Sequence, residues 1–203
     1  MSILTYKTIL HPSKEVLYKD KGSKFYGYAF PLESIEYYKE IIEKLKQKHS
    51  SAGHFCFAYQ YGIDIPYHRV SDDGEPSNSA GLPIYGQLQA FDVTNILVVV
   101  VRYFGGTKLG VGGLISAYKT TAKLSLEASE LKTLDILIPF KLSFEYKDLS
   151  QVMRIIKKHQ LILKSQRLEM DCEVVILVQK SVKKSLQTAF EAFHKIKVEI
   201  LND

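Results

Sequence analysis

The stretch "RYFGGTKLGVGGLISAYKT" runs from Arg102 to Thr120 and places five glycines, Gly105, Gly106, Gly110, Gly112 and Gly113, within nine residues. Glycine lets the backbone take positive φ and approach a ligand closely. Unpaired N–H groups at the start of a following helix create positive potential, the usual setting for a bound phosphate. Lys108 adds a full charge, Arg102 a guanidinium, and Thr107 and Ser116 add hydroxyl donors. Neither standard phosphate pattern is met. Gly110 is followed by Val111 and Gly112, not by the Lys-Ser/Thr of a Walker loop, and the sixth position from Gly110 is Ile115 where the dinucleotide fingerprint needs glycine. Two roles stay open for the loop: an anion contact, or a tight strand-to-helix turn.

A second cluster, "HRVSDDGEP", groups His68, Arg69, Asp72, Asp73 and Glu75. Three carboxylates can hold a divalent cation through oxygen. The calcium-loop pattern fails, because placing its glycine on Gly74 puts Arg69 at the first ligand position and Ala80 at the last. Aspartates in such a stretch more commonly bond nearby backbone N–H groups and shape a turn. His54 and Cys56 alternate along one predicted strand. A Cys–His nucleophile pair is conceivable there, but a buried cysteine is usually inert packing.

These residues need elements to carry them. "KFYGYAFPL" (24–32), "GHFCFAYQYG" (53–62) and "NILVVVVRYF" (95–104) read as strands, the last buried on both faces. In the second, His54, Cys56 and Ala58 share one side, and Phe55, Phe57 and Tyr59 the other. Ser34 is a candidate N-cap for a helix that turns Ile35, Tyr38, Ile42 and Leu45 inward. "SDDGEPSNSAG" (71–81) is turn chemistry, followed by a short helix over 82–91. A longer helix is expected from about Leu114 to Glu130. Further on, "IPFKLSFEY", "LILKSQRLEM", "CEVVILVQ" and "IKVEIL" read as strands, and helical stripes follow Asp148, an expected N-cap, and Val182. The order is β-α-β-β-α-β, the ferredoxin-like split unit.

The 203 residues are 46% hydrophobic and 24% charged, the balance of a folded globule. No apolar run is long enough to cross a bilayer as a helix, and the first twenty residues lack the features of a secretion signal. A cytoplasmic protein is expected. Cys56 and Cys172 form neither a disulfide framework nor a zinc pattern. The net charge is +5. Residues 1–130 carry 14 basic against 13 acidic side chains, and 131–203 carry 13 against 9, so the excess sits in the C-terminal third. That mild basicity is compatible with RNA or ribosome contact without demanding it. Lys157 and Lys158, with Lys183 and Lys184, are candidate phosphate contacts or a solvated helix face.

"HFCFAY", "SDDGEPSNSAGLPI" and "VVVRYFGGTKLGVGGLISAY", in that order and spacing, closely resemble the IMPACT family, including its bacterial YigZ-like members. Two departures stand out. "SNSAG" occupies the place where many members have Ser-Gly-Thr-Ala-Gly, and Ser116 stands where an arginine is common, which removes a bidentate phosphate donor. The resemblance implies an α+β protein of two domains. The first, 1–133, would be similar to the second domain of ribosomal small-subunit protein five. The second, 134–203, would be ferredoxin-like and similar to a domain of elongation factor G. Eukaryotic relatives regulate translation initiation by competing for the activator of a stress kinase, through a separate N-terminal domain that is not expected here.

The expectation is a non-enzymatic, translation-associated protein contacting RNA, the ribosome or a ribosome-bound partner. Arg102, Gly105, Gly106, Thr107, Lys108, Gly110, Gly112, Gly113, Lys157 and Lys158 are its candidate anion-binding residues. No cofactor, catalytic residue or metal is expected, with Asp72, Asp73 and Glu75 the candidates should a cation bind. Two alternatives stay open: a Mg-dependent enzyme acting on a nucleotide or phosphorylated small molecule, and a pure protein-interaction module.

Overall fold

The computed structural model describes residues 3–193 and 195–201. The chain divides into two compact units: Tyr6–Leu134, and the chain from Asp135 onward together with the residues up to Thr5.

The first unit is built on a five-stranded antiparallel sheet. Its strands are β2 (Val16–Asp20), β3 (Ser23–Pro31), β4 (His54–Tyr61), β5 (Tyr67–Ser71) and β6 (Ile96–Tyr103), in the order β2-β3-β6-β4-β5. β6 lies at the centre, and Ile96 to Val101 are fully buried because both faces of the sheet are covered. Val98 and Val100 face one core with Cys56, Ala58 and Phe25, beneath α2 (Gly81–Phe91) and α3 (Gly110–Glu127). Leu97, Val99 and Val101 face the opposite core with Phe55, Phe57 and Tyr59, beneath α1 (Tyr37–Lys48). The alternation read from "HFCFAYQY" is therefore that of a strand between two apolar layers.

Four five-residue strands were not read from the sequence. β1 (Thr5–Ile9) pairs with β7 (Leu131–Asp135), and Thr94 N–H donates to the Lys7 carbonyl at 2.9 Å to tie β1 down. β2 and β5 are edge strands of five residues with exposed polar side chains. α1 begins at Tyr37 without side-chain capping, three residues beyond the expected Ser34 cap. α3 begins at Gly110, four residues before the expected Leu114, so Gly110, Gly112 and Gly113 lie in its first turn.

The second unit has β8 (Leu137–Glu145), α4 (Leu149–Lys158), β9 (Ile162–Arg167), β10 (Asp171–Gln179), α5 (Lys183–Glu191) and β11 (Lys197–Ile200). The sheet order β11-β8-β10-β9 is antiparallel throughout, the ferredoxin-like βαββαβ arrangement. Phe140, Leu142, Val152, Val174, Ile176, Leu186 and Phe190 form its core. Asp148 does occupy the N-cap of α4, but its side chain makes no capping bond, and its buried Oδ2 has no partner. Among the described residues, no helix is long and apolar enough to cross a membrane.

Two glycines of the signature play opposite structural roles. A Cβ at Gly105 would sit 1.9 Å from the Gly22 carbonyl carbon and 2.1 Å from the Ser23 amide nitrogen, so the β2–β3 turn closes onto it. A Cβ at Gly112, inside α3, meets nothing within 4 Å. In urea denaturation, Gly105→Ala should cost about 1–3 kcal/mol, the overpacking range, or fail to fold. Gly112→Ala should gain about 0.5–1 kcal/mol from helix propensity. Equal effects at the two positions would contradict this assignment.

Candidate functional site

The acidic turn is folded around its own carboxylates. Asp72 Oδ1 accepts from the amides of Ala80 at 2.9 Å and Gly81 at 2.8 Å, and Oδ2 accepts from Asn78 N–H at 2.8 Å. This supplies the cap that Ala80, at the N-cap of α2, cannot provide. Asp73 Oδ2 accepts from Phe55 N–H at 2.6 Å, which ties the turn to β4. His54 Nδ1–H donates to the Asp73 carbonyl at 2.8 Å.

Glu75 points inward. Its side chain is 4% exposed and its Oε1 lies 2.7 Å from Arg102 Nη1, whose own side chain is 6% exposed. Tyr118 in α3 donates its hydroxyl to the same oxygen at 2.7 Å. His54 Nε2 lies 3.9 Å away. The guanidinium stacks on Phe25, 5.5 Å from the ring centroid, and under Phe104 at 5.7 Å. Arg102 Nη2 and the Gly105 amide both reach Ser23 Oγ, at 3.4 and 3.2 Å. One ion pair thus joins the acidic turn, β6, α3 and the base of the glycine loop.

This arrangement decides what the candidates can do. Arg102 is a buried structural cation, engaged by Glu75 rather than presented at the surface as a free donor. Asp72, Asp73 and Glu75 direct their oxygens at backbone amides, a guanidinium and a phenol. Among the described residues there is no cluster of three or more His, Cys, Asp or Glu side chains arranged for a metal ion. Cys56 is fully buried, donates to the Asp72 carbonyl at 3.0 Å and lies 3.3 Å from the Tyr118 hydroxyl. Burial pushes its thiol well above the ordinary range, which disfavours the thiolate a nucleophile needs.

The loop above this buried pair is open. Phe104, Gly105, Gly106, Thr107 and Lys108 are exposed, Phe104 to 58%. Leu109 turns inward and occupies the N-cap of α3, where its aliphatic side chain can cap nothing. The first-turn amides of α3 at Gly110, Val111 and Gly112 have no intrahelical acceptor and are left for solvent or a ligand, whereas Gly113 N–H is the first to bond back, to the N-cap carbonyl of Leu109. A Cβ at Gly106, Gly110 or Gly112 would meet nothing within 4 Å, so the Cα side of each of these residues is open. Lys21, exposed, lies on the β2–β3 turn whose Gly22 and Ser23 pack against Gly105. The arrangement suits an anion at the helix start beside a stacked planar group on Phe104.

Lys157 and Lys158 close α4 in the second unit and are exposed. The sequence reading missed Ser23, Phe104 and Tyr118. The signal for Tyr118 was its place on the inward stripe of α3 beside Leu114 and Ala122.

A family model described as the Impact N-terminal domain matches residues 21–126. An IMPACT family member from Haemophilus influenzae is 35% identical over 173 residues, covering 82% of this chain and 83% of that protein. IMPACT family member YvyE from Bacillus subtilis is 31% identical over 160 residues, 79% of this chain and 73% of that protein. A crystal structure of a hypothetical protein superposes over 100% of both chains with a TM-score of 0.78 at 24% identity, a likeness of fold.

Removing the carboxylate leaves a buried, unpaired guanidinium. Glu75→Ala should therefore lose about 3–5 kcal/mol in chemical denaturation, and Glu75→Ala combined with Arg102→Met should lose markedly less. A single variant as stable as the parent chain would show that the pair does not hold these segments together.

Proposed function

This chain belongs to the IMPACT family, and from that premise we propose that it is a non-enzymatic, translation-associated protein of the cytoplasm that contacts RNA on or near the ribosome. The observation that carries the reading is the exposed loop 104–113. It combines an exposed aromatic ring, Lys108, and the uncapped amides of an eighteen-residue helix. A phosphate on the helix start with a base stacked on Phe104 matches how single-stranded RNA is commonly held.

Two likenesses support the same reading. The N-terminal domain, 1–133, is taken as similar to the second domain of ribosomal small-subunit protein five. The C-terminal domain, 134–203, is taken as similar to a domain of elongation factor G. Eukaryotic relatives regulate translation, and a role in that process is carried here to this chain. Gly105, Gly106, Thr107, Gly110, Gly112 and Gly113 shape and supply the contact, Arg102 holds its base from below, and Lys157 and Lys158 add phosphate contacts from the second domain. The internal engagement of Asp72, Asp73 and Glu75 favours this reading over a Mg-dependent enzyme at the acidic turn.

Purified protein should bind single-stranded RNA at low salt, with affinity falling as salt rises. Lys108→Ala should weaken binding a few-fold and reduce the slope of log affinity against log salt by about 0.7, one single-strand phosphate contact. Lys157→Ala with Lys158→Ala should reduce the slope further. A chain that binds neither RNA nor ribosomes at low salt overturns the proposal.

A further inference from the structure

The opposite face of the first unit carries a cavity of about 450 Å³ that the loop does not touch. It lies between α1, β3 and the segment before β2. Its floor is aliphatic, from Ile41 and Leu45. Its aromatic lining is Phe30 of β3, which stacks at 6.1 Å on the buried Tyr28 with the planes 21° apart, and Tyr37 of α1.

The polar rim is laid out asymmetrically. Lys44 and Lys48 are four residues apart on α1, so their ammonium groups share one helix face. Lys48 Nζ pairs with Glu15 Oε2 at 2.7 Å and lies 5.0 Å from the Tyr28 ring centroid. Lys44 Nζ lies 5.9 Å from the Tyr37 ring centroid and has no carboxylate in ion-pair range among the described residues. The Tyr28 hydroxyl donates to Glu15 Oε2 at 2.5 Å and meets His49 Nε2 at 2.6 Å. Bonds from Lys48 and Tyr28 hold the Glu15 carboxyl below its ordinary pKa, so it remains an acceptor at neutral pH.

Three requirements follow for an occupant. It needs a flat ring for the aromatic walls. It gains from an anionic group placed on Lys44. It needs a donor, such as an exocyclic amine or a sugar hydroxyl, for Glu15. A cationic guest would meet the Lys44 ammonium, and an anionic one would gain a charge-assisted contact there. The volume lies within the range of small-molecule sites. We propose that this cavity is a binding site for a small aromatic monophosphate of nucleotide size, with the ring against Phe30 and Tyr37 and the phosphate on Lys44.

None of these residues lies in loop 104–113, so the site stands or falls separately from RNA contact there. The test is calorimetric titration of the full chain with AMP, GMP, CMP and UMP, repeated with adenosine and with inorganic phosphate. At least one mononucleotide should bind, and the nucleoside and the phosphate alone should each bind at least tenfold more weakly. Lys44→Ala should lose about tenfold, since hydrogen bonds to charged groups contribute on that scale, and Tyr37→Ala should lose a comparable amount. Both positions are exposed, so thermal melts should show both variants folded. Lys108→Ala should bind the mononucleotide as the parent chain does. The proposal is overturned if no mononucleotide binds at millimolar concentration. It is equally overturned if inorganic phosphate binds as tightly, if both cavity variants bind unchanged, or if only Lys108→Ala loses binding.

Discussion

A buried ion pair, Arg102 with Glu75, sets the geometry on which the conspicuous surface of this protein depends. Taking both charges out of water costs several kcal/mol for each ion, and only close geometry with additional bonds offsets it. The structure supplies those additions: the Tyr118 hydroxyl on the same carboxylate oxygen, Ser23 Oγ near the guanidinium, and the rings of Phe25 and Phe104 beside it. Each partner comes from a different segment. Glu75 belongs to the acidic turn, Arg102 to the end of β6, Tyr118 to α3 and Ser23 to the start of β3. Loss of the carboxylate would unsettle four segments at once.

The glycine loop is the outward consequence. β6 ends above the pair, and the chain must reach α3 while passing the β2–β3 turn at a distance only glycine allows, at Gly105. Beyond that point the constraint relaxes. Gly106, Gly110 and Gly112 face open space, and the start of α3 has no side-chain cap. Rigid support beneath and first-turn amides without a side-chain cap are the conditions under which a helix start holds an anion well. Ser116, one turn further along α3, is exposed, so Lys108 and the amides carry the positive potential here.

Much of this was legible in the sequence where a pattern was long or buried on a defined face. The run "ILVVVV", the alternation in "HFCFAY" and the two helical stripes of the second domain led to β6, β4, α4 and α5, because burial imposes period and length. β1, β2, β5 and β7 were missed because strands of five residues carry little periodic signal. The start of α3 was placed late because three glycines in a first turn argue against helix locally, and packing of Leu114, Tyr118 and Ala122 overrides them. The candidate site was legible in residue type but not in role. Arg102 and Glu75 look like surface chemistry in a list of charges, yet they are 27 positions apart and buried against each other. The carboxylates of the acidic turn follow the turn reading, with Asp72 bonding amides six to nine residues ahead. The cavity beside α1 left no trace in the sequence, since its walls come from three separate segments.

The central claim is that loop 104–113, held from below by the ion pair, is the surface that meets phosphate. The most direct measurement is an amide NMR titration of the full chain with a short single-stranded RNA, followed residue by residue. The account predicts that the largest shifts fall on the amides of Gly106 to Gly113, with line broadening at Phe104. Shifts confined to the second domain, or to the α1 face with the loop amides unmoved, would contradict it.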